Sequence, residues 1–313
     1  MKIVLLEELG ISMNRLKKYQ EKLEKMGHTL VMYKKDTNSN ILMNRVKDAD
    51  AIILANMPLD KKVIENAPNL KFIDIAFTGV DHIPVDFAKQ KNIAISNASG
   101  YATQSVAELC ISFMIQLLRK TKDNEKSCRN NGTKEGLNGN LLQGKTVGII
   151  GAGKIGKKVA YLCKAFDCKV IAYNKSKIND VSIDEQVSLE ELLKNSDIIS
   201  WHCPLTSETE GMIEKKELSL MKETAIVINT ARGNIIKSND LVEALNNKTI
   251  AGAAIDVFDK EPPLPIDYPL LHTPNTIVTP HMAYSSVESM EKRAEIVFDN
   301  LFSWLEGNQK NKI

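Results

Sequence analysis

Aromatic side chains make up only 5% of the 313 residues, too few for a platform on which single-stranded nucleic acid would stack. Charge of one sign is not in excess either. The 41 Lys and Arg against 39 Asp and Glu leave a formal net charge of +2, with no long basic block. That balance argues against nucleic acid or an acidic membrane surface as partner. Cysteine is sparse: Cys110, Cys128, Cys163, Cys168 and Cys203, an odd number with no CxxC pair. Free thiols in a reducing compartment fit this better than a disulfide framework, and no metal site is expected. No apolar run is long enough to span a bilayer, and no signal-type segment precedes the first apolar run, Ile3 to Leu6. The chain reads as soluble and cytoplasmic. Internal repeats and low-complexity segments are likewise missing.

What is present is an apolar fraction of 43%, enough for about two domains of this length. Short apolar runs alternate with amphipathic ones. Ile3–Leu6, Thr29–Tyr33, Ala51–Ala55, Phe72–Ala76 and Ile93–Ser96 read as strands. Met13–Lys25, Ile41–Lys47 and Lys61–Ala67 read as helices between them. A long amphipathic run, Ser105–Arg119, and a polar loop, Asn130–Asn140, precede a second alternating series. Its strands are Thr146–Ile150, Lys169–Tyr173, Ile198–His202, Ala225–Asn229, Ala253–Val257 and Thr276–Thr279, and a last helix covers Val287–Trp304. Such alternation predicts an α/β protein of two doubly wound parallel-sheet domains. We expect residues 1–100 and 286–313 to form one domain and 101–285 a second, inserted one, with a small-molecule cleft at their junction.

The most informative segment is Gly148-Ile149-Ile150-Gly151-Ala152-Gly153-Lys154-Ile155-Gly156, which follows an apolar run and opens a helical one expected over Lys157–Phe166. In that setting GxGxxG binds a dinucleotide. Gly151 permits a tight turn, Gly153 lets a pyrophosphate approach the backbone, and Gly156 lets helix and strand pack closely. The helix start, with Lys154 and Ile155, offers unpaired N–H groups to the phosphates. Three charged residues then stand just beyond later strands: Arg232, Glu261 and His281. Ligands of open α/β sheets sit at those carboxyl ends. Arginine grips a carboxylate with a bidentate fork, histidine donates a proton at neutral pH, and a neighbouring carboxylate favours the imidazolium. With a hydride donor, the three can reduce a 2-oxo acid.

These segments also resemble the D-isomer-specific 2-hydroxyacid dehydrogenases over nearly the whole chain. The likeness runs through Gly144 to Gly156, His202-Cys203-Pro204-Leu205-Thr206, Asn229-Thr230-Ala231-Arg232-Gly233, Ala254 to Phe258, Glu261-Pro262 and Thr279-Pro280-His281. It implies a Rossmann cofactor domain inserted in a flavodoxin-like substrate domain, a homodimer, and Arg232, Glu261 and His281 as the catalytic trio. It implies that Asp256 bonds the nicotinamide carboxamide and that Gly79 and Val80, in Thr78-Gly79-Val80-Asp81, hold the substrate carboxylate. Cys203 and Pro204, with Thr209 and Thr230, are expected along the cofactor, Cys203 as a pocket wall and not a nucleophile.

Where NAD-using members commonly carry an acid after the second Rossmann strand, this chain has Asn174, followed by Lys175-Ser176-Lys177. An uncharged Asn174 flanked by Lys175 and Ser176 favours NADP(H) over NAD(H), since no carboxylate repels a 2′-phosphate. The loop Ala55-Asn56-Met57-Pro58 is expected to offer Met57 as an apolar wall and Asn56 as a polar one; it holds no cation, which disfavours a phosphorylated substrate. His82, beside the carboxylate loop, is expected to pack. Glyoxylate, hydroxypyruvate and a medium apolar 2-oxo acid stay open. So do two rival readings: a non-enzymatic dinucleotide sensor similar to the C-terminal-binding-protein corepressors, and a formate-dehydrogenase-like enzyme, against which the Glu261–His281 pairing speaks.

Overall fold

The computed structural model describes residues 1–313 and divides into two compact units, Met1–Ala102 with Ser285–Ile313, and Thr103–Tyr284. In the first, β1 (Lys2–Leu5), β2 (Thr29–Met32), β3 (Ala51–Leu54), β4 (Phe72–Ile75) and β5 (Ala94–Asn97) pair in parallel in the order β2-β1-β3-β4-β5. Helices α1 (Met13–Lys25), α2 (Ser39–Val46), α3 (Lys61–Glu65) and α4 (Val85–Gln90) connect them. Because β3 and β4 are covered on both faces, their residues are apolar without alternation and buried throughout, Asp74 excepted in chemistry but not in burial. Order reverses between β1 and β3, so the crevice at their carboxyl ends is the place where such a sheet binds a ligand.

The second unit opens with α5 (Thr103–Leu118) and α6 (Thr121–Arg129). Then follow β6 (Thr146–Ile150), α7 (Lys154–Ala165), β7 (Lys169–Tyr173), β8 (Glu185–Gln186), α8 (Leu189–Asn195), β9 (Ile198–Trp201), α9 (Lys215–Ser219), β10 (Ile226–Asn229), α10 (Ser238–Asn246), β11 (Gly252–Ile255) and β12 (Thr276–Val278). All seven strands are parallel, in the order β12-β11-β10-β9-β6-β7-β8, the doubly wound Rossmann arrangement. The last helix, α11 (Val287–Leu305), returns to the first unit.

Three departures from the sequence expectation have physical reasons. Helix α7 starts at Lys154, three residues earlier than the periodicity suggests, because glycines hide its first turn. Strand β8 is two exposed residues long and carries no apolar signal. Helix α5 buries Val106, Ala107, Cys110, Ile111, Phe113, Met114, Leu117 and Leu118, packing on α7 and the β10–β12 edge of its own unit. Those residues are therefore core of their own unit.

Candidate active site

The glycine turn is built as the motif requires. Gly151 has φ +95°, a region costly for any side chain, and a Cβ there would stand 2.5 Å from the Cys203 nitrogen and 2.7 Å from the His202 carbonyl carbon. A Cβ on Gly156 would fall on the Gly151 carbonyl oxygen. At Gly153, by contrast, a Cβ would meet nothing within 4 Å. Two glycines are thus fixed by packing, while the third leaves open space beside the first turn of α7. That is the cradle a pyrophosphate fits, with Lys154 and Ile155 as the helix's first residues. Gly151 packing also brings Cys203 beside the turn.

Asn174 closes the same loop from β7. Its Oδ1 accepts from the Ala152 N–H at 3.1 Å, and its Nδ2 donates to both the carbonyl and the hydroxyl of Ser176 at 3.0 Å. Lys175 pairs with Glu208 at 2.8 Å on the surface, so its charge already has a partner. Thr209 is occupied in shaping the turn after β9: its hydroxyl donates to the Pro204 carbonyl at 2.6 Å and accepts from the Thr206 N–H at 2.8 Å. The Thr230 hydroxyl lies 3.3 Å from Cys110 Sγ, whose thiol burial pushes up to about 12. Burial likewise raises the Cys203 thiol to about 11, which suits a wall and not a nucleophile. His202 bonds the Ser200 hydroxyl at 2.9 Å, and burial drives its imidazole down to about 3, so it stays neutral.

Arg232, Glu261 and His281 come from the carboxyl ends of β10, β11 and β12, three neighbouring strands. Asn229, buried at the end of β10, braces the first loop: its Oδ1 accepts from the Ala231 N–H at 3.1 Å and its Nδ2 donates to the Arg232 carbonyl at 2.9 Å. Gly233 follows, where a Cβ would run into the Phe258 carbonyl and stand 2.5 Å from the Asp259 nitrogen. That close approach presses the Arg232 loop onto the loop that leads to Glu261. The Glu261 carboxylate reaches His281 Nδ1 with both oxygens, at 2.8 and 2.9 Å. The Tyr284 ring stands edge-on to the imidazole, centroids 5.6 Å apart.

His281 has φ +52°, unusual for a side chain of this size. Asp256 holds it there. Its backbone carbonyl accepts the His281 N–H at 2.8 Å. Its Oδ1 accepts from the Thr279 hydroxyl at 2.5 Å and the Met282 N–H at 2.8 Å, and its Oδ2 from the Ala283 N–H at 2.9 Å. This corrects the expectation that Asp256 bonds the nicotinamide: its side chain is fully buried and engaged by the histidine loop. Burial raises its pKa, an effect opposed by those three donors.

In the first unit, Gly79 and Val80 are half-exposed, and their N–H groups are used by no hydrogen bond within the chain. Asn97 at the end of β5 anchors their loop, donating from Nδ2 to the Thr78 carbonyl at 2.7 Å. His82 packs as expected, edge-on to Phe77, and ties the loop to its neighbour through Nε2 and the Ala55 carbonyl at 2.8 Å. Met57 does not form the expected accessible wall: its side chain is completely buried, and Asn56 is what the loop exposes. Sequence reading missed Asn229, Asn97 and Glu7. Each is a polar residue at or just past a strand's carboxyl end, and that position was the available signal. No group of three or more His, Cys, Asp or Glu is gathered as a metal site, and no helix is long and apolar enough to cross a membrane.

Residues 111–283 match the family described as D-isomer specific 2-hydroxyacid dehydrogenase, NAD binding domain. The whole chain is 33% identical to a hydroxypyruvate reductase of Blautia hydrogenotrophica, over 99% of that protein. Among solved structures, an acyclic imino acid reductase in complex with NADPH and D-Arg aligns over the full length of both chains, with a TM-score of 0.92 and 32% identity. An NAD-dependent formate dehydrogenase of Staphylococcus aureus, in complex with NAD, aligns over 100% of this chain and 98% of its own, with a TM-score of 0.88 and 30% identity. The chain belongs to the D-isomer-specific 2-hydroxyacid dehydrogenase family, oxidoreductases that exchange hydride between a nicotinamide dinucleotide and a 2-oxo or 2-hydroxy acid.

Proposed function

We propose that this protein reduces a small 2-oxo acid, of the glyoxylate and hydroxypyruvate kind, to the D-2-hydroxy acid, with NADP(H) preferred over NAD(H). The observation that carries the reading is the two-oxygen contact of Glu261 with His281 Nδ1 at the end of the last strand. With Nδ1 so engaged, Nε2 is the nitrogen that gives its proton to the substrate carbonyl oxygen. The Glu261 charge favours the imidazolium that must deliver it. In the second unit Arg232 is the guanidinium for the carboxylate and the group that polarises the carbonyl, and in the first the N–H groups of Gly79 and Val80 are donors suited to a carboxylate. Asp256 sets the backbone from which His281 projects. When bound, a reduced nicotinamide supplies the hydride that adds to C2, and the proton from His281 completes the hydroxyl. The glycine turn, Lys154, Ile155, Asn174, Cys203, Pro204 and Thr230 are the residues that would hold the dinucleotide.

The carboxylate partner of His281 favours this over formate oxidation, which releases no proton to a substrate oxygen. Turnover of a 2-oxo acid is what separates this reading from a sensor that binds the dinucleotide alone. NADP(H) preference rests on Asn174 in place of an acid, with the Ser176 hydroxyl and Lys177 near by. Lys175 contributes less because Glu208 already neutralises it. The decisive experiment is a panel of 2-oxo acids assayed with NADPH and NADH, beside His281→Ala. Loss of the general acid should lower kcat by about 10²–10⁴-fold with cofactor binding retained. A variant that keeps more than a tenth of the wild-type kcat removes His281 from the mechanism.

A further inference from the structure

The fold places a cation where the sequence shows none. Lys35, three residues past β2, extends its ammonium to the loop that follows β3: Nζ lies 3.3 Å from Asn56 Oδ1 and 3.0 Å from Glu7 Oε1. Glu7, two residues past β1, is almost buried, and its other oxygen accepts from the N–H groups of Ala55 at 2.9 Å and Met57 at 3.1 Å. Lys35 sits on a braced segment. Arg45 of α2 donates to the Lys34 carbonyl at 2.8 Å, pairs with Asp36 at 3.6 Å and stacks its guanidinium 4.6 Å from the Tyr33 ring centroid. The cluster therefore stands at the carboxyl ends of β1 and β3, the point where strand order reverses and this kind of sheet takes a ligand. It is also joined to the carboxylate loop, because His82 holds the Ala55 carbonyl from one side and its own carbonyl accepts the Leu59 N–H at 3.1 Å from the other.

We infer that Lys35, Asn56 and Glu7 form a subsite that reads the distal end of the substrate, selecting a hydroxyl over a methyl group of the same size. The inference rests on the reading of Gly79 and Val80 as the carboxylate anchor. His82 bonds the 55–59 segment on both sides, so a substrate anchored at Gly79 and Val80 would have that segment as its neighbour. A hydroxyl both accepts and donates, so it can accept from the Lys35 ammonium and donate to Asn56 Oδ1 at once. A methyl group can do neither, and would strip solvent from an ammonium without replacing it. A second anion gains little, since Glu7 already balances the Lys35 charge. The pair thus explains how a lysine 46% accessible in its side chain can serve discrimination without inviting a phosphate.

Hydroxypyruvate and 2-oxobutyrate differ only in a hydroxyl against a methyl on C3, and so make the test. The ratio of their kcat/KM values is measured for the wild type and for Lys35→Met with saturating NADPH. Differences in the intrinsic reactivity of the two substrates cancel in that comparison. The ratio should fall at least about tenfold in the variant, the scale of one lost hydrogen bond to a charged group. Because Lys35→Met leaves Glu7 unpaired and can unsettle the fold, the double variant Glu7→Gln with Lys35→Met is measured alongside; the glutamine still accepts from the Ala55 and Met57 N–H groups, and the same fall is expected. An unchanged ratio in a folded variant overturns the inference. So does an equal loss on both substrates, which assigns the pair to holding the loop. A wild type that turns over no 2-oxo acid with either cofactor sinks the underlying reading of the site, and the inference with it.

Discussion

His281, at φ +52°, sits in a turn where its own N–H reaches the Asp256 carbonyl and the N–H groups of Met282 and Ala283 reach the Asp256 carboxylate. Strain of this kind persists only where the surroundings over-determine it, and here a single buried carboxylate does so. Two residue-scale predictions follow from the same loops. Arg232→Lys keeps the charge but not the planar fork, so kcat should fall and KM for the oxo acid rise together. Near-wild-type steady-state constants would remove Arg232 from substrate binding. Asn174→Asp retains an oxygen for the Ala152 N–H and adds a charge facing any 2′-phosphate. The ratio of kcat/KM with NADPH to that with NADH should drop several-fold, a charge pair near 4 Å being worth about 1 kcal/mol in water and more when partly buried. A wild type that already prefers NADH would show that Lys177 and Ser176 are merely solvated.

Between elements, close backbone approach matters more than any one bond. α7 can lie on β6 only because Gly156 has no Cβ; its ideal Cβ would strike the Gly151 carbonyl and stand 3.1 Å from the Ile149 side chain. Gly156→Ala should therefore push the start of α7 off the turn. The overpacking should cost about 1–3 kcal/mol of stability. Because the helix start is also the phosphate cradle, the dissociation constant for NADPH should rise about tenfold or more. Titration of NADPH fluorescence reads this directly, and a curve superimposable on the wild type would refute the packing argument. Gly233 joins the Arg232 loop to the Glu261 loop in the same way. Here the sequence was legible: the GxGxxG spacing names the positions, and steric exclusion explains why glycine stands at two of them.

At the scale of the whole molecule, the returning helix α11 fastens the first unit through a buried polar network. Asn300 Nδ2 donates to Asp74 Oδ1 and to the Asn97 carbonyl, both at 3.1 Å, and Asn311 Nδ2 donates to Asn300 Oδ1 at 2.7 Å. Asp74 is fully buried with Oδ2 unpartnered, and burial raises its pKa well above the usual carboxylate range. The folded state thus keeps a proton that the unfolded chain releases near pH 4, so this group destabilises the protein progressively as pH rises from there. Asp74→Asn still accepts from Asn300 and has nothing to release. Its melting temperature should exceed that of the wild type at pH 8, with the gap closing by about pH 4. A gap of constant size across that range would mean that Asp74 does not titrate differently in the two states.

The local pattern carried the α/β alternation, the glycine turn and the three charged residues, because each depends on a few neighbours: apolar runs of strand length, a tight turn, a charge just past a strand end. α1 was legible to the residue, since its period and its Ser12 cap are both local. Partnership between distant residues was not legible, because hydrogen bonds of a buried carboxylate depend on which loops the fold brings to it. Hence Asp256 turns from an expected cofactor ligand into the anchor of the His281 loop, and Met57 turns from a pocket wall into core. Lys35, 21 residues from Asn56 in the chain, enters the picture only when β1, β2 and β3 align their carboxyl ends.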